Sequence, residues 1–362
     1  WSSDVCSSDL VSRLLDIASG GATYAAAGVD IDAGDEAVEE IKEVVRSTHR
    51  QGVMGSIGDF GGLFNLGALG LSHPVLVSSA DGVGTKLHIA QLTQRFDGVG
   101  DDLVAMLVDD LVCVGAEPLF LLDIITVGKV VPTRIATIVS SIAAACRRAN
   151  TALLGGETAE HGGIMGNDDI DVAGFAVGVL EDGTQLGAHR VRSGDALVGF
   201  HSPGIRSNGY TLARSVLLSG RSLDEPAWAG SATSLADELL RPSVVYAPAV
   251  VAMKAALGES VHGVAHITGG GIIGNVPRML PPNCDAVIDM TTFETPEIFF
   301  EIQRRGSVAT DEMLRVFNCG LGMVVALDST RVDDAIAIAH EHGISAHRVG
   351  EVRQGNGRVE IR

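Results

Sequence analysis

The chain is short of cationic side chains: 26 Lys and Arg stand against 45 Asp and Glu, a formal charge of −19. That imbalance argues against a nucleic-acid or anionic-membrane surface. Any phosphate the protein handles must be held by local glycines, a few basic residues and a metal. Cysteine is scarce as well. Cys6, Cys113, Cys146, Cys284 and Cys319 are odd in number and form no C-x-x-C pair, which fits a reduced, cytoplasmic protein. No apolar run approaches the roughly 20 residues of a membrane-spanning helix. Aromatics make up 4% of the chain, against 46% hydrophobic residues and 45 glycines. This is the composition of an Ala/Val/Gly-rich α/β enzyme.

At 362 residues there is room for two domains of ordinary size, each with its own core. The opening WSSDVCSSDL lacks an initiator Met, a basic n-region and an apolar h-region, so it is not a signal peptide. Its SSD repeat reads as a sequence artefact fused to a truncated start, and residues 1–20 are expected to be a disordered tail. Helical periodicity is clearest at 35–50 and at 132–150, where Pro132 suits a first turn. Further helices are expected at 207–219, 242–257 and 332–342. Strands are expected at 74–79, 119–126, 171–180, 195–200, 285–289 and 321–327, all rich in Val, Ile and Leu. Strands and helices interleave, so the class is α/β with α+β mixed sheets. The polar stretch 181-EDGTQLGAHRVRSGD-195 is the expected boundary between an N-terminal domain, 21–185, and a C-terminal α/β domain, 190–362. In 52-GVMGSIGDFGGLFNLGALG-70, seven of nineteen residues are glycine. Two readings stay open there: a disordered connector, or a mobile lid closing backbone N–H groups over a polyphosphate.

Four stretches concentrate polarity where an apolar core would not want it. In 75-VLVSSADGVGTKLHIA-90 a strand ends on Asp81, Gly82, Gly84, Thr85 and Lys86. The order Thr-Lys is not that of a Walker A loop, and Leu87 stands where a dinucleotide loop needs its third glycine. In 101–118 an apolar helix carries Asp102, Asp109 and Asp110; the first two share a face, and the third points about 100° further round. Buried carboxylates are costly unless paired or on a metal, so Asp102 is expected at a solvated edge and Asp110 at a metal. In 152-ALLGGETAEHGG-163 a strand delivers Gly155, Gly156 and Glu157 at its C-terminal end, where α/β proteins bind ligands. Asp81, Asp110 and Glu157 together supply hard oxygen ligands for Mg²⁺ shared with phosphates. In the second half, Thr268, Gly269, Gly270 and Gly271 join a strand to a helix start, and Arg206, Ser207 and Asn208 form a turn before another helix. His266 is expected to be a packed strand histidine.

These pieces, in their order, resemble the phosphoribosylformylglycinamidine cyclo-ligase (aminoimidazole ribonucleotide synthetase) family. The matching segments are AGVDIDAG (27–34), DGVGTK (81–86), DLVAM (102–106), GAEPLF (115–120), GGETAE (155–160), DVAGFAVGV (171–179), SNGY (207–210), AHITGGG (265–271), NVPRMLP (275–281) and FNCGLGM (317–323). The resemblance runs from about Tyr24 to the C-terminus. It implies two α/β domains whose N-terminal halves pair as a homodimer through a shared β-barrel. It also implies ATP with Mg²⁺, formylglycinamidine ribonucleotide as substrate, and no nucleic-acid or membrane partner. Carried over by motif, Asp81, Gly82, Gly84, Thr85, Lys86, Gly155, Gly156 and Glu157, with Gly61 and Gly62, would bind ATP. Lys42 would face the active site. Arg206, Ser207, Asn208, Thr268 to Gly271 and Asn318 would hold the substrate. The chain departs from the family pattern at four places. Arg206 stands for the usual His, Asp109 for Asn, Ala80 for Thr, and GGETAEHGG for GGETAEMPG. Arg cannot accept a proton at neutral pH, so Arg206 is expected to bind substrate charge. Two alternatives remain at this point: a related ATP-dependent enzyme such as a thiamine-monophosphate kinase-like protein, or an inert nucleotide-binding relative.

Overall fold

The computed structural model describes residues 31–55, 58 and 60–362. The expectations for the first thirty residues, including half of AGVDIDAG, and for Ser56, Ile57 and Asp59 lie outside the described residues. The described residues begin with α1 (Ile31–Arg46), β1 (Val53–Met54), β2 (Leu63–Phe64), β3 (Pro74–Gly82), α2 (Leu87–Thr93), α3 (Val99–Cys113) and β4 (Glu117–Val127). They continue with α4 (Pro132–Arg148), β5 (Ala152–Glu160) and β6 (Ile170–Glu181). The described part of the glycine-rich stretch is not a formless connector, because β1 and β2 pair antiparallel with Val53 opposite Phe64.

Strands β3, β6, β4 and β5 form one four-stranded sheet in that order. Along β3 the inward side chains Val75 and Val77 join the core, while Leu76, Ser78 and Ala80 are exposed on the other face. Helix α3 covers the inner face and packs on β3 and β6. It is buried almost all round, because α4 crosses it on a second side. That crossing depends on Gly100, whose N–H donates to Ser141 Oγ at 2.9 Å. A Cβ there would lie 2.1 Å from the Ser141 carbonyl carbon.

The remainder builds a second sheet: β7 (Ala196–His201), α5 (Tyr210–Leu217), α6 (Leu235–Leu239), α7 (Ala247–Leu257), β8 (Val261–His266), α8 (Gly271–Asn275) and β9 (Cys284–Ile288). Next come α9 (Glu297–Gly306), α10 (Thr310–Val316), β10 (Leu321–Leu327), α11 (Val332–Glu341), β11 (Ala346–Gln354) and β12 (Val359–Ile361). Its strand order is β12-β9-β11-β7-β10-β8, antiparallel except for the β12–β9 pair. The expected separate cores are not what forms. One apolar cluster runs from Val104 and Leu111 of α3 through Tyr246 and Met253 to Val325 of β10 and Ala339 of α11. A second fills the space among β8, β9, β10, α5 and α9. The two sheets are therefore welded across α3 and α7, and the polar residues of α3 fall on the seam.

Candidate functional site

The seam opens into a cleft where four distant stretches meet. The last residues of strand β3 are Asp81 and Gly82, and Asp81 accepts the Gly82 N–H at 2.7 Å. Burial holds the Asp81 carboxyl above its ordinary range. The Gly82 N–H works against that rise, and Asp110 adds to it. Gly84 has φ of 68°, and nothing stands where its Cβ would be, so its backbone lies open to an approaching group. Thr85 Oγ1 lies 3.2 Å from Thr211 Oγ1 of α5, and Asn208 Nδ2 lies 3.4 Å from Met106 Sδ of α3. His266, at the end of β8, places Nδ1 2.9 Å from Asp110 Oδ1. Asp81, Thr85, Asp110, Asn208 and the start of the 268–271 turn are thus brought near one another.

Other placements correct that reading. Lys86 is buried, not aimed at the cleft: its ammonium lies 2.6 Å from Asp102 Oδ2 and donates to Arg241 O at 2.7 Å. Asp102 is not at a solvated edge either. It is buried in that ion pair and also accepts the N–H and Oγ of Ser243, at 3.1 and 2.6 Å. Arg206 is 2% exposed, and its φ is 66°, so the turn carries the guanidinium inward. Its Nη2 lies 2.9 Å from Asp109 Oδ2 and its Nη1 donates to Val244 O at 2.8 Å, which leaves it turned away from an external anion. Lys42 sits half-exposed on α1, paired with Glu39 one turn away. Asn318 is committed to the loop before α5. It donates to the carbonyls of Gly204 and Ile205 at 3.0 and 3.2 Å and accepts the Gly320 N–H at 2.8 Å.

The 268–271 turn is similarly tied down. Asn275 Nδ2 donates to the carbonyls of Thr268, Gly269 and Gly271, at 3.3, 3.2 and 2.9 Å, and Thr268 Oγ1 also leans on Asn275. Gly270 and Gly271 have positive φ, and a Cβ on Gly271 would meet Leu314 O at 2.1 Å. Ser207 keeps a buried hydroxyl with no partner, free to meet a bound group.

The expected third metal ligand is elsewhere. Asp81, Gly174, Asp123 and Gly156 form one row across the sheet, so Glu157 lies three strand spacings from Asp81, roughly 14 Å. Among the described residues no three carboxylate, His or Cys side chains form a metal-sized cluster. Glu157 instead lines a second, larger cavity of about 720 Å³ with Gly61, Gly62, Gly155, Gly156 and Asp123. Asp123 was missed by sequence reasoning. The signal was present, a lone carboxylate inside the apolar run of β4. Its carboxyl is buried, and burial drives it up to about 7; an oxygen of it occupies the place a Gly156 Cβ would take.

Both sites fit what a nucleotide with Mg²⁺ would need. The larger cavity offers glycine backbone and a carboxylate, and Gly61 has open space where a Cβ would stand. In the cleft, the charge of Asp110 raises the Asp81 carboxyl, and a cation held by both would relieve that effect.

Comparison with known proteins shows what the chain is similar to. Residues 65–180 match the model of the AIR synthase related protein N-terminal domain, and 192–362 match that of its C-terminal domain. The chain is 45% identical over 331 residues to a phosphoribosylformylglycinamidine cyclo-ligase of Geotalea daltonii, covering 91% of this chain and 94% of that one. It is 46% identical over 334 residues to one of Trichlorobacter lovleyi, covering 92% and 95%. In fold it is similar to a thiamine-monophosphate kinase from Stenotrophomonas maltophilia (TM-score 0.66, 18% identity, 89% of this chain and 95% of that one). It is also similar to the hydrogenase maturation protein HypE in complex with ATP (TM-score 0.63, 18% identity, 96% and 93%).

Proposed function

The chain belongs to the phosphoribosylformylglycinamidine cyclo-ligase family, and from that premise we propose how its residues serve the reaction. The enzyme carries out the ATP-dependent closure of formylglycinamidine ribonucleotide to aminoimidazole ribonucleotide in purine biosynthesis. The difficulty is chemical: an amide oxygen is a poor leaving group. Phosphorylating the formyl oxygen turns it into a good one, after which the ribosyl-bearing nitrogen attacks the formyl carbon, phosphate leaves and the imidazole closes. Catalysis then rests on positioning and charge neutralisation. The observation that carries the reading is the meeting of 81–85, 106–110, 207–211 and 266–271 in one cleft.

In this reading Asp81 and Asp110 hold Mg²⁺, which supplies positive charge to the transferring phosphoryl group. Gly82 and Gly84 let backbone N–H groups approach it. Ser207, Asn208 and Thr268 face the ribonucleotide. Gly61, Gly62, Gly155, Gly156 and Glu157 take the nucleotide. Lys86 acts from behind the cleft, by fixing Asp102 and the 241–243 segment.

We also propose a homodimer. In the four-stranded sheet β3 and β5 are both edges. Two copies joined face to face about a two-fold axis would set the β5 of one beside the β3 of the other, closing an eight-stranded barrel and bringing Glu157 of the partner subunit next to Asp81. Incubating the protein with ATP, Mg²⁺ and formylglycinamidine ribonucleotide should yield ADP, phosphate and aminoimidazole ribonucleotide in equal amounts. Phosphate release that does not depend on the ribonucleotide would refute the cyclisation.

A further inference from the structure

His266 and Arg206 belong to a chain of contacts that starts in the interior and ends in the cleft. Asp109 is its anchor: Oδ1 accepts the backbone N–H groups of Tyr246 and Ala247, both at 2.8 Å, and Oδ2 faces Arg206 Nη2 at 2.9 Å. The guanidinium carbon lies over the Tyr246 ring, 4.6 Å from its centroid, and Nη1 donates to Val244 O. Arg206 is thereby fixed on three sides. Its Nη2 also lies 2.9 Å from His266 Nε2. Guanidinium nitrogens only donate, so Nε2 must present its lone pair, and the single ring proton resides on Nδ1. There it points at Asp110 Oδ1, 2.9 Å away. Asp109, Arg206 and His266 are buried, while the Asp110 side chain is 44% exposed at the cleft.

We infer that Arg206 and His266 are positioning residues: Arg206 fixes the His266 tautomer, and the Nδ1–H of His266 fixes the rotamer of Asp110. This inference rests on the assignment of Asp110 to the catalytic cleft. It gives Arg206 a part in the reaction without contact to substrate. It also explains how a residue held in left-handed backbone geometry is useful, since that turn is what drives the guanidinium inward. Left to itself, an exposed aspartate on the last turn of a helix would sample several rotamers. A partner that orients a ligating carboxylate is commonly worth about 10- to 100-fold.

The test separates geometry from bulk. Asparagine in place of His266 puts an amide N–H near the position of Nδ1, whereas glutamine puts it near Nε2. His266→Asn should keep at least about a third of the wild-type kcat, and His266→Gln and His266→Ala should lose about 10-fold or more. The KM for the ribonucleotide should change less than kcat in all three. A readout independent of turnover is the ¹⁵N spectrum of the imidazole in the wild-type protein, which should show a protonated Nδ1 and a bare Nε2. Arg206→Met should collapse that pattern into a mixture of tautomers. A protonated Nε2 in the wild type, or Gln matching Asn, overturns the inference, and the spectrum decides even if a variant fails to fold. Asp110→Asn runs alongside. If it is impaired while His266→Ala is not, the inference fails alone; if Asp110→Asn is fully active, the assignment of Asp110 fails and takes the inference with it.

Discussion

Burial drives the Asp123 carboxyl up to about 7, in the wall of the larger cavity, and only its own backbone N–H works against the rise. The folded chain therefore keeps a proton that the unfolded chain releases near pH 4. With the folded value above the unfolded one, the native state is favoured below about pH 4. That advantage declines as pH climbs to about 7, then stays flat. Linkage sets the full difference at about 4 kcal/mol as a ceiling. Asp123→Asn abolishes the titration, so thermal midpoints at pH 5 and pH 8 should lie closer together in the variant than in the wild type. An unchanged gap would mean that Asp123 is ionised in the folded protein. At the cleft the stake is turnover, not stability. Asp81→Asn and Asp110→Asn should each fold normally by circular dichroism, yet lose several kcal/mol of transition-state stabilisation. Near-normal activity at limiting Mg²⁺ would remove that carboxylate from the metal site.

Helix α3 shows which elements are open to sequence reasoning and which are not. Strands such as β3, β7 and β10 declare themselves, because alternation or a continuous apolar run is local information. Strand β11 does not: 346-AHRVGEVRQ-354 is mostly polar, buries chiefly Val349 and Val352, and becomes a strand because β7 and β9 pair with both its edges. The helix itself was legible from 101–118, but the fate of its carboxylates was not. Lys86 on Asp102 and Arg206 on Asp109 are contacts across the seam, and no spacing rule links residues on separate elements. The glycine–carboxylate clusters of the cleft are legible because they break apolar runs; Asp123 breaks one as well, but between Leu122 and Ile124 no glycine stands beside it to mark it. The same helix offers a direct test of close packing. Gly100→Ala would push a methyl group into the Ser141–Ile142 backbone of α4. The helices must part, at a cost of about 1–3 kcal/mol or more, readable as a lower urea midpoint. A neutral result would show that the α3–α4 crossing is looser than described.

At the scale of the whole molecule, the unresolved demand is the outer face of the four-stranded sheet. Leu76, Ile124 and Phe175 are 55%, 46% and 38% exposed there. The register sets Ala80, Phe175 and Leu122 in one row, and Ala173, Ile124 and Glu157 in the next, so the apolar side chains are contiguous. A face of this kind, bounded by two unpaired edge strands, is a liability in a lone chain. A second copy would cover it and pair both edges. The protein should then sediment as a dimer at micromolar concentration, and Ile124→Arg should shift it to a folded monomer. Shared sites make a sharper demand. If Asp81 of one chain works with Glu157 of the partner subunit, Asp81→Asn and Glu157→Gln should each be inactive alone and complement when mixed. Random reassortment makes half of the dimers mixed, and each mixed dimer has one site with both carboxylates intact. Activity should therefore recover to about a quarter of the wild-type value. Should the mixed sample stay as inactive as its parents after confirmed exchange of subunits, each site is complete within one chain, and Glu157 acts in the cavity of its own subunit.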